Sequence, residues 1–228
     1  MEAGKQVRYE PRRVSEKALT MALADVVFTI TGSHLSKVSL CILLAQMGQE
    51  QGIHPDGSRD FPNYNGFGIK ATPGVDFFEA VTPERAEMVR ERKKFRAYAS
   101  LEDGLRSYVS LLAKQPRYKR GWEKLVAGDY DGFVEEIGPH YLPNGKQDPK
   151  WGGYFEAPTV LYRAGVRRHW AACALRMANY GTVPDEIRRF QKDHGINVDG
   201  ALGPQTRGAL RVALGGDGQP GAFSKRHH

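Results

Sequence analysis

The sequence holds only two cysteines, Cys41 and Cys173, in 228 residues. Two thiols make no disulfide framework and cannot complete a four-cysteine zinc site. Both stand in apolar, helical-looking context, where a free cysteine serves as a small core residue. A Cys41–Cys173 bridge is the alternative. No run approaches the roughly 18 uncharged apolar residues of a membrane-spanning helix, so stable membrane insertion is not expected. No low-complexity tract is present, which excludes wholesale disorder. The seven histidines, His54, His140 and His169 among them, form no His-Glu-x-x-His pair or comparable cluster. Zinc chemistry is therefore not expected, and no metal or cofactor is called for. No helix-turn-helix or zinc-finger signature appears, so nucleic acid is not an expected partner.

What is present is an ordinary apolar share, 40 %, and a formal net charge of +7. The excess is concentrated at one end. Residues 163–228 carry eleven basic against five acidic side chains, whereas the first 162 are nearly neutral. Such a division predicts a neutral body and a cationic appendage facing a polyanion such as nucleic acid, an anionic membrane or a cell wall; a solvated basic face is the plain alternative. The N-terminus does not read as a signal peptide. Ala18 to Thr31 is interrupted by Asp25, and its apolar residues Leu19, Leu23, Val26, Val27 and Ile30 have helical spacing.

Ser33 to Gly52 reads as a second helix, apolar on so many sides that it belongs in the centre of a domain. Asp56 to Lys70 should be loop and tight turn, and Gly74 to Phe95 a short hairpin or excursion. Ser100-Leu101-Glu102-Asp103 resembles a capping box opening a helix with the stripe Leu101, Leu105, Tyr108 and Leu112. Gly121 to Ile137 should hold two short helices split near Gly128, and Glu156 to Ala178 a helix broken near Gly165. The final unit then reads helix, turn, helix, turn, helix, with Pro184 to His194 as one short helix and Gly203-Pro204-Gln205-Thr206 starting the last, followed by a disordered tail.

Glu50 falls in the last turn of the central helix. The negative end of the helix dipole and apolar surroundings both favour its neutral acid, the form a general acid needs. An exposed glutamate at a frayed helix end is the competing reading. The neighbouring letters add to this. Ala45-Gln46-Met47-Gly48-Gln49-Glu50-Gln51-Gly52 resembles the "AQxxxESG" helix end of glycoside hydrolase family 73, the lysozyme-like endo-β-N-acetylglucosaminidases of peptidoglycan. Tyr64-Asn65-Gly66-Phe67-Gly68-Ile69-Lys70-Ala71 is similar to its "NNLFGIKA", and Thr82-Pro83-Glu84 to its "TxE". Phe95-Arg96-Ala97-Tyr98-Ala99-Ser100 resembles "FRxYxS", and Gln115-Pro116-Arg117-Tyr118 resembles "NPRY". Tyr141, with Asp148-Pro149-Lys150-Trp151 after it, resembles "YATDPxY" with an insertion. Six such strings in the family's order make the resemblance specific, although Gln51-Gly52-Ile53-His54 stand where the family has Ser-Gly-Trp-Gly.

The resemblance implies Glu50 as general acid, Glu84 as a second acid on a β-lobe with Glu79 as its rival, and Tyr141 facing the reacting sugar. It implies Asn65 and Phe67 lining the sugar subsites, with Tyr64, Trp151 and Tyr154 counted beside them. The C-terminal string Ile187-Arg188-Arg189-Phe190-Gln191, Val198-Asp199-Gly200, Gly203-Pro204-Gln205-Thr206 resembles the three-helix peptidoglycan-binding module. Gln191, Asp199, Arg188 and Thr206 are its candidate wall-binding residues, with Asp199 also suited to tying its turn to backbone amides.

The expected architecture is mainly α. It comprises an N-terminal arm over residues 1–16, a lysozyme-like α+β catalytic domain with a small β-lobe over 17–165, a small three-helix domain over 166–215 and a tail over 216–228. The implied protein is a monomeric peptidoglycan hydrolase similar to a bacteriophage endolysin, with peptidoglycan as its partner. Without an export signal it would wait in the host cytoplasm until a holin opens the membrane. A muramidase or lytic transglycosylase on the same core, and a non-catalytic wall-binding or virion structural protein, are the alternatives.

Overall fold

The computed structural model describes residues 4–83, 90–140, 153–155 and 159–216. Helix α1 (Glu16–Thr31) starts at Ser15, whose Oγ accepts from the Ala18 amide at 3.2 Å, and ends at Gly32 in the left-handed region. Its buried stripe is Leu19, Leu23, Val26 and Val27, as the spacing predicts. Helix α2 (Lys37–Gln51) is capped by Ser36 and buried on all sides from Val38 to Gly48. It is the central helix, and its main neighbour is α6 (Thr159–Met177).

The α2–α6 contact corrects the expected break near Gly165. Helix α6 passes through Gly165 uninterrupted and buries Val166, Trp170, Ala171, Cys173, Ala174 and Leu175 in the main core. A Cβ on Gly165 would lie 1.9 Å from Gln49 Oε1 on α2. The space in front of the glycine is taken by the Gln49 side chain, and the boundary expected at residues 165 and 166 falls inside one helix. Cys41 and Cys173 are free and buried in this core.

The β-structure is small. Strand β1 (Arg13–Val14) pairs antiparallel with β2 (Arg59–Asp60), and β3 (Phe77–Pro83) pairs antiparallel with β4 (Arg90–Arg96) in the register Phe77↔Arg96 to Pro83↔Arg90. The described part of the N-terminal arm is strapped along this lobe. Val7 N–H donates to the Phe77 carbonyl at 2.8 Å, Phe61 N–H to Arg12 at 2.8 Å, and Asn63 N–H to Glu10 at 2.8 Å.

Ser100 caps α3 (Leu101–Lys114), accepting from the Asp103 amide at 3.1 Å. Helices α4 (Lys119–Val126) and α5 (Tyr130–Ile137) follow, divided at Gly128. The C-terminal unit contributes two helices of its own, α7 (Pro184–Asp193) and α8 (Pro204–Ala213). Its third helical neighbour is α6, on which α8 packs. Arg211, almost fully buried, donates to the Gly128 carbonyl at 2.9 Å and joins the two units. The chain is thus mainly helical with a small β-lobe, and among the described residues no helix is long and apolar enough to cross a membrane.

Candidate active site

Glu50 lies one turn beyond Gln46 on α2, and the i, i+4 spacing puts both side chains on one face. That face looks at α6 and α3. Tyr162 on α6 donates from its hydroxyl to Glu50 Oε1 at 2.5 Å. Gln46 Nε2 donates to the Tyr162 hydroxyl at 2.8 Å and reaches Glu50 Oε1 at 3.4 Å. Tyr108 on α3 donates to Gln46 Oε1. Burial raises the Glu50 pKa above the usual carboxylate value, and the hydrogen bonds from Tyr162 and Gln46 only partly oppose it. Tyr162 and Tyr108 are pushed well above the ordinary phenol range, chiefly by burial, so both remain neutral donors.

The opposite side of the carboxyl faces the Asn65–Ile69 loop. Gly68 adopts φ +65°, and a Cβ there would lie 3.9 Å from Glu50 Oε2. Asn65 shapes this loop. Its amide donates to the carbonyls of Ile69 and Arg96, both at 2.8 Å, and its oxygen accepts from the Ile69 amide at 3.1 Å. Phe67 stacks on Tyr108 with centroids 4.5 Å apart, and Tyr154 donates to the Phe67 carbonyl at 2.6 Å. Asn65 and Phe67 are each only 2 % exposed, which corrects their expected place in the lining of the sugar subsites. Their polar and aromatic groups are consumed in holding the loop against α3. Tyr64 is half-buried at φ 56°, with the Arg12 guanidinium 5.8 Å from its ring. Tyr154 keeps partial exposure, with its hydroxyl committed to the loop.

Glu84, Tyr141 and Trp151 lie outside the described residues. Glu79, the rival for the second acid, pairs across the hairpin with Arg92 at 3.8 Å. Sequence reasoning missed Tyr162, and it quoted Gln46 and Tyr108 without giving them a role. The available signal was a tyrosine on a helix otherwise destined for the core, since a buried phenol needs a hydrogen-bond partner. A polar depression of about 640 Å³ lined by Asp76, Arg96, Tyr98, Asp103 and Arg106 lies between the hairpin base and α3; Glu50 is not part of its lining. Among the described residues no group of three or more His, Cys, Asp or Glu side chains is placed to hold a metal ion.

In the C-terminal unit Gln191 is fully buried. Its amide donates to Asp199 at 2.7 Å, to Thr206 Oγ1 at 2.9 Å and to the Ala201 carbonyl at 3.0 Å, and its oxygen accepts from the Gly200 amide at 2.8 Å. Asp199 accepts from the Ala201 amide at 2.8 Å. Gln191 and Thr206 therefore tie the turn to α7 and α8 from inside, which corrects their placement among residues that touch the wall. Arg188 remains half-exposed, pairing with Asp185 at 2.8 Å.

A central helix ending in a carboxylic acid, flanked by a small β-lobe, defines a lysozyme-like domain, here joined to a compact helical module. The chain belongs to the glucosaminidase family. The family model, described as mannosyl-glycoprotein endo-beta-N-acetylglucosaminidase, matches residues 30–157, and a peptidoglycan binding domain model matches residues 183–210. The chain is similar to the peptidoglycan hydrolase FlgJ of Salmonella typhimurium, 37% identical over 75 residues that cover 31% of this chain and 23% of that protein. It is 34% identical to FlgJ of Escherichia coli O157:H7 over 123 residues, which cover 48% of this chain and 38% of that protein. It thus spans less than two fifths of the length of these curated relatives. A crystal structure of a peptidoglycan hydrolase mutant from Sphingomonas sp. A1 superposes with a TM-score of 0.46 at 25% identity, covering 71% of this chain and 96% of that one.

Proposed function

We propose that the protein is a peptidoglycan hydrolase whose first module cuts glycan strands as an endo-β-N-acetylglucosaminidase, with Glu50 as general acid. The observation that carries this reading is the Glu50 carboxyl. It sits in the last turn of a buried helix, favours its neutral form, and has one oxygen turned toward the Gly68 loop. In the reaction the bond from the anomeric carbon to the bridging oxygen breaks as Glu50 delivers its proton to that oxygen. On the other face Glu84 activates the attacking water, or the substrate's own acetamido group acts as internal nucleophile. Water's hydroxide adds to the anomeric carbon; its remaining proton goes to Glu84 in the first case, with Glu50 reprotonated from solvent, and to Glu50 in the second. The C-terminal module holds the enzyme on an insoluble polymer and so raises local concentration with no added catalytic contact.

The test is mass spectrometry of muropeptides released from purified walls. Reducing-end N-acetylglucosamine is the expected product. Reducing-end muramic acid would make the protein a muramidase, anhydromuramic acid a lytic transglycosylase, and retained binding without products a wall-binding protein. The pairing of a wall-cutting with a wall-binding module also supports an endolysin-like life, with storage in a host cytoplasm and holin-dependent release to the wall. Intact cells on expression, lysing when their membrane is opened with chloroform, are the expected result. A monomer is part of the same reading, checked by sedimentation.

A further inference from the structure

The donors around Glu50 are arranged so that only one of its oxygens can carry a transferable proton. Tyr108 is fully buried, and a buried phenol proton needs an acceptor. Gln46 Oε1 is the acceptor it has among the described residues. That contact fixes the Gln46 amide, so Nε2 points at Tyr162 and donates to its hydroxyl. A phenol has one hydrogen, and the Tyr162 oxygen is already receiving one from Gln46. Its own hydrogen therefore goes to Glu50 Oε1. The reversed amide would leave the Tyr108 proton without a partner and set two oxygens, Gln46 Oε1 and Glu50 Oε1, against each other, which costs more than the arrangement seen.

We infer that Tyr162 is a positioning residue for Glu50: through the relay Tyr108–Gln46–Tyr162 it keeps Oε1 an acceptor and places the acidic proton on Oε2, the oxygen facing Gly68. This rests on the reading of Glu50 as the general acid. The absent side chain at Gly68 leaves room in front of Oε2, which is where a bridging sugar oxygen must arrive. When the proton has left, the same Tyr162 and Gln46 bonds stabilise the carboxylate, so the relay governs how readily Glu50 gives up and regains its proton. The titratable groups facing Glu50 are Tyr162 on α6, Tyr108 on α3 and Tyr154 ahead of α6, all held neutral by burial. His169 on α6 packs by Gly48 on α2 and is held neutral by burial and by Arg168, with its pKa lowered to about 4. Tyr162 also stacks on Phe155, centroids 3.6 Å apart, a contact that a phenylalanine keeps.

The experiment is a carbon-13 carboxyl NMR titration of the full chain, with the Glu50 signal assigned by its loss in Glu50→Gln, run beside the pH profile of wall digestion. In Tyr162→Phe the Glu50 titration should move up by about one pH unit, the worth of a hydrogen bond to a charged group. The alkaline limb of digestion should move up with it. Should Tyr162→Phe fold poorly, fluorotyrosine at position 162 keeps the shape with a more acidic phenol, and both curves should move down. Digestion by the unmodified chain with neither curve moving in the variants would overturn the relay and leave the hydrolase reading standing. A Glu50 titration that moves as stated, in a chain that digests no wall, would support the hydrogen-bond assignment, overturn the relay's place in catalysis and sink the hydrolase reading.

Discussion

Arg176, in the last turn of α6, forks onto both oxygens of Glu16, in the first turn of α1: Nε donates to Oε1 at 2.7 Å and Nη2 to Oε2 at 2.6 Å. Arg59, with none of its side chain exposed, adds a third bond to Oε2 at 3.2 Å. One carboxylate therefore serves two guanidiniums, that of Arg59 fully removed from water, and it joins α1, the β1–β2 corner and α6.

Truncating Glu16 strands the fully buried Arg59 with no carboxylate. Removing one partner of a buried ion pair costs about 3–5 kcal/mol. Glu16→Ala should show this loss in urea unfolding, with Glu16→Gln losing less because it keeps an acceptor. A loss under about 0.5 kcal/mol would class the cluster with exposed pairs of little worth.

The Glu50 acid should destabilise the fold it serves. Its folded pKa is raised by burial above an ordinary value of 4.5. Between those two values the folded chain binds a proton that the unfolded chain has released. Stability therefore falls as pH rises through that window, and the deficit persists above it. Glu50→Gln removes the titration, so its melting temperature should exceed that of the unmodified chain at about pH 7 and converge with it below about pH 4. Equal melting at both pH values would place the carboxyl in ordinary contact with water.

In the C-terminal unit the two arms of the resemblance separate. Gln191→Ala breaks four hydrogen bonds at once and leaves the partners in the Asp199–Thr206 turn unsatisfied, a cost of about 1–3 kcal/mol for each group that stays buried. The unit should unfold, and sedimentation with walls should fall with it. Arg188→Ala should leave the unit folded, seen by amide NMR, and weaken binding in a salt-dependent way. A folded Gln191→Ala chain would contradict the internal role assigned to this residue.

The helical frame was legible where spacing or a cap carried it. Leu19, Leu23 and Val26 mark the buried stripe of α1, and Ser100 starts α3 as its hydroxyl chemistry requires. Glu50 was legible because a helix apolar all round has to end somewhere, and Gly52 ends it. Gly165 misled, because a glycine weakens a helix without having to end it, and α6 runs straight through it. Asn65 and Phe67 misled in another way. The string around them resembles a sugar-lining loop, yet the asparagine's reach to Arg96, 31 positions away, makes it a pin. Tyr162 carried only the general signal of a phenol on a core helix, which does not name its partner. Its bond to Glu50 spans 112 positions, which neither periodicity nor short motifs can register.

In the proposed mechanism Glu50 hands a proton to the leaving sugar oxygen. The direct measurement is the rate of reducing-end release from purified peptidoglycan by the unmodified chain and by Glu50→Gln, at equal wall-bound protein. A loss of at least about 100-fold with wall binding intact is the predicted result, the scale of a missing general acid. Release within a few fold of the unmodified chain would contradict the account.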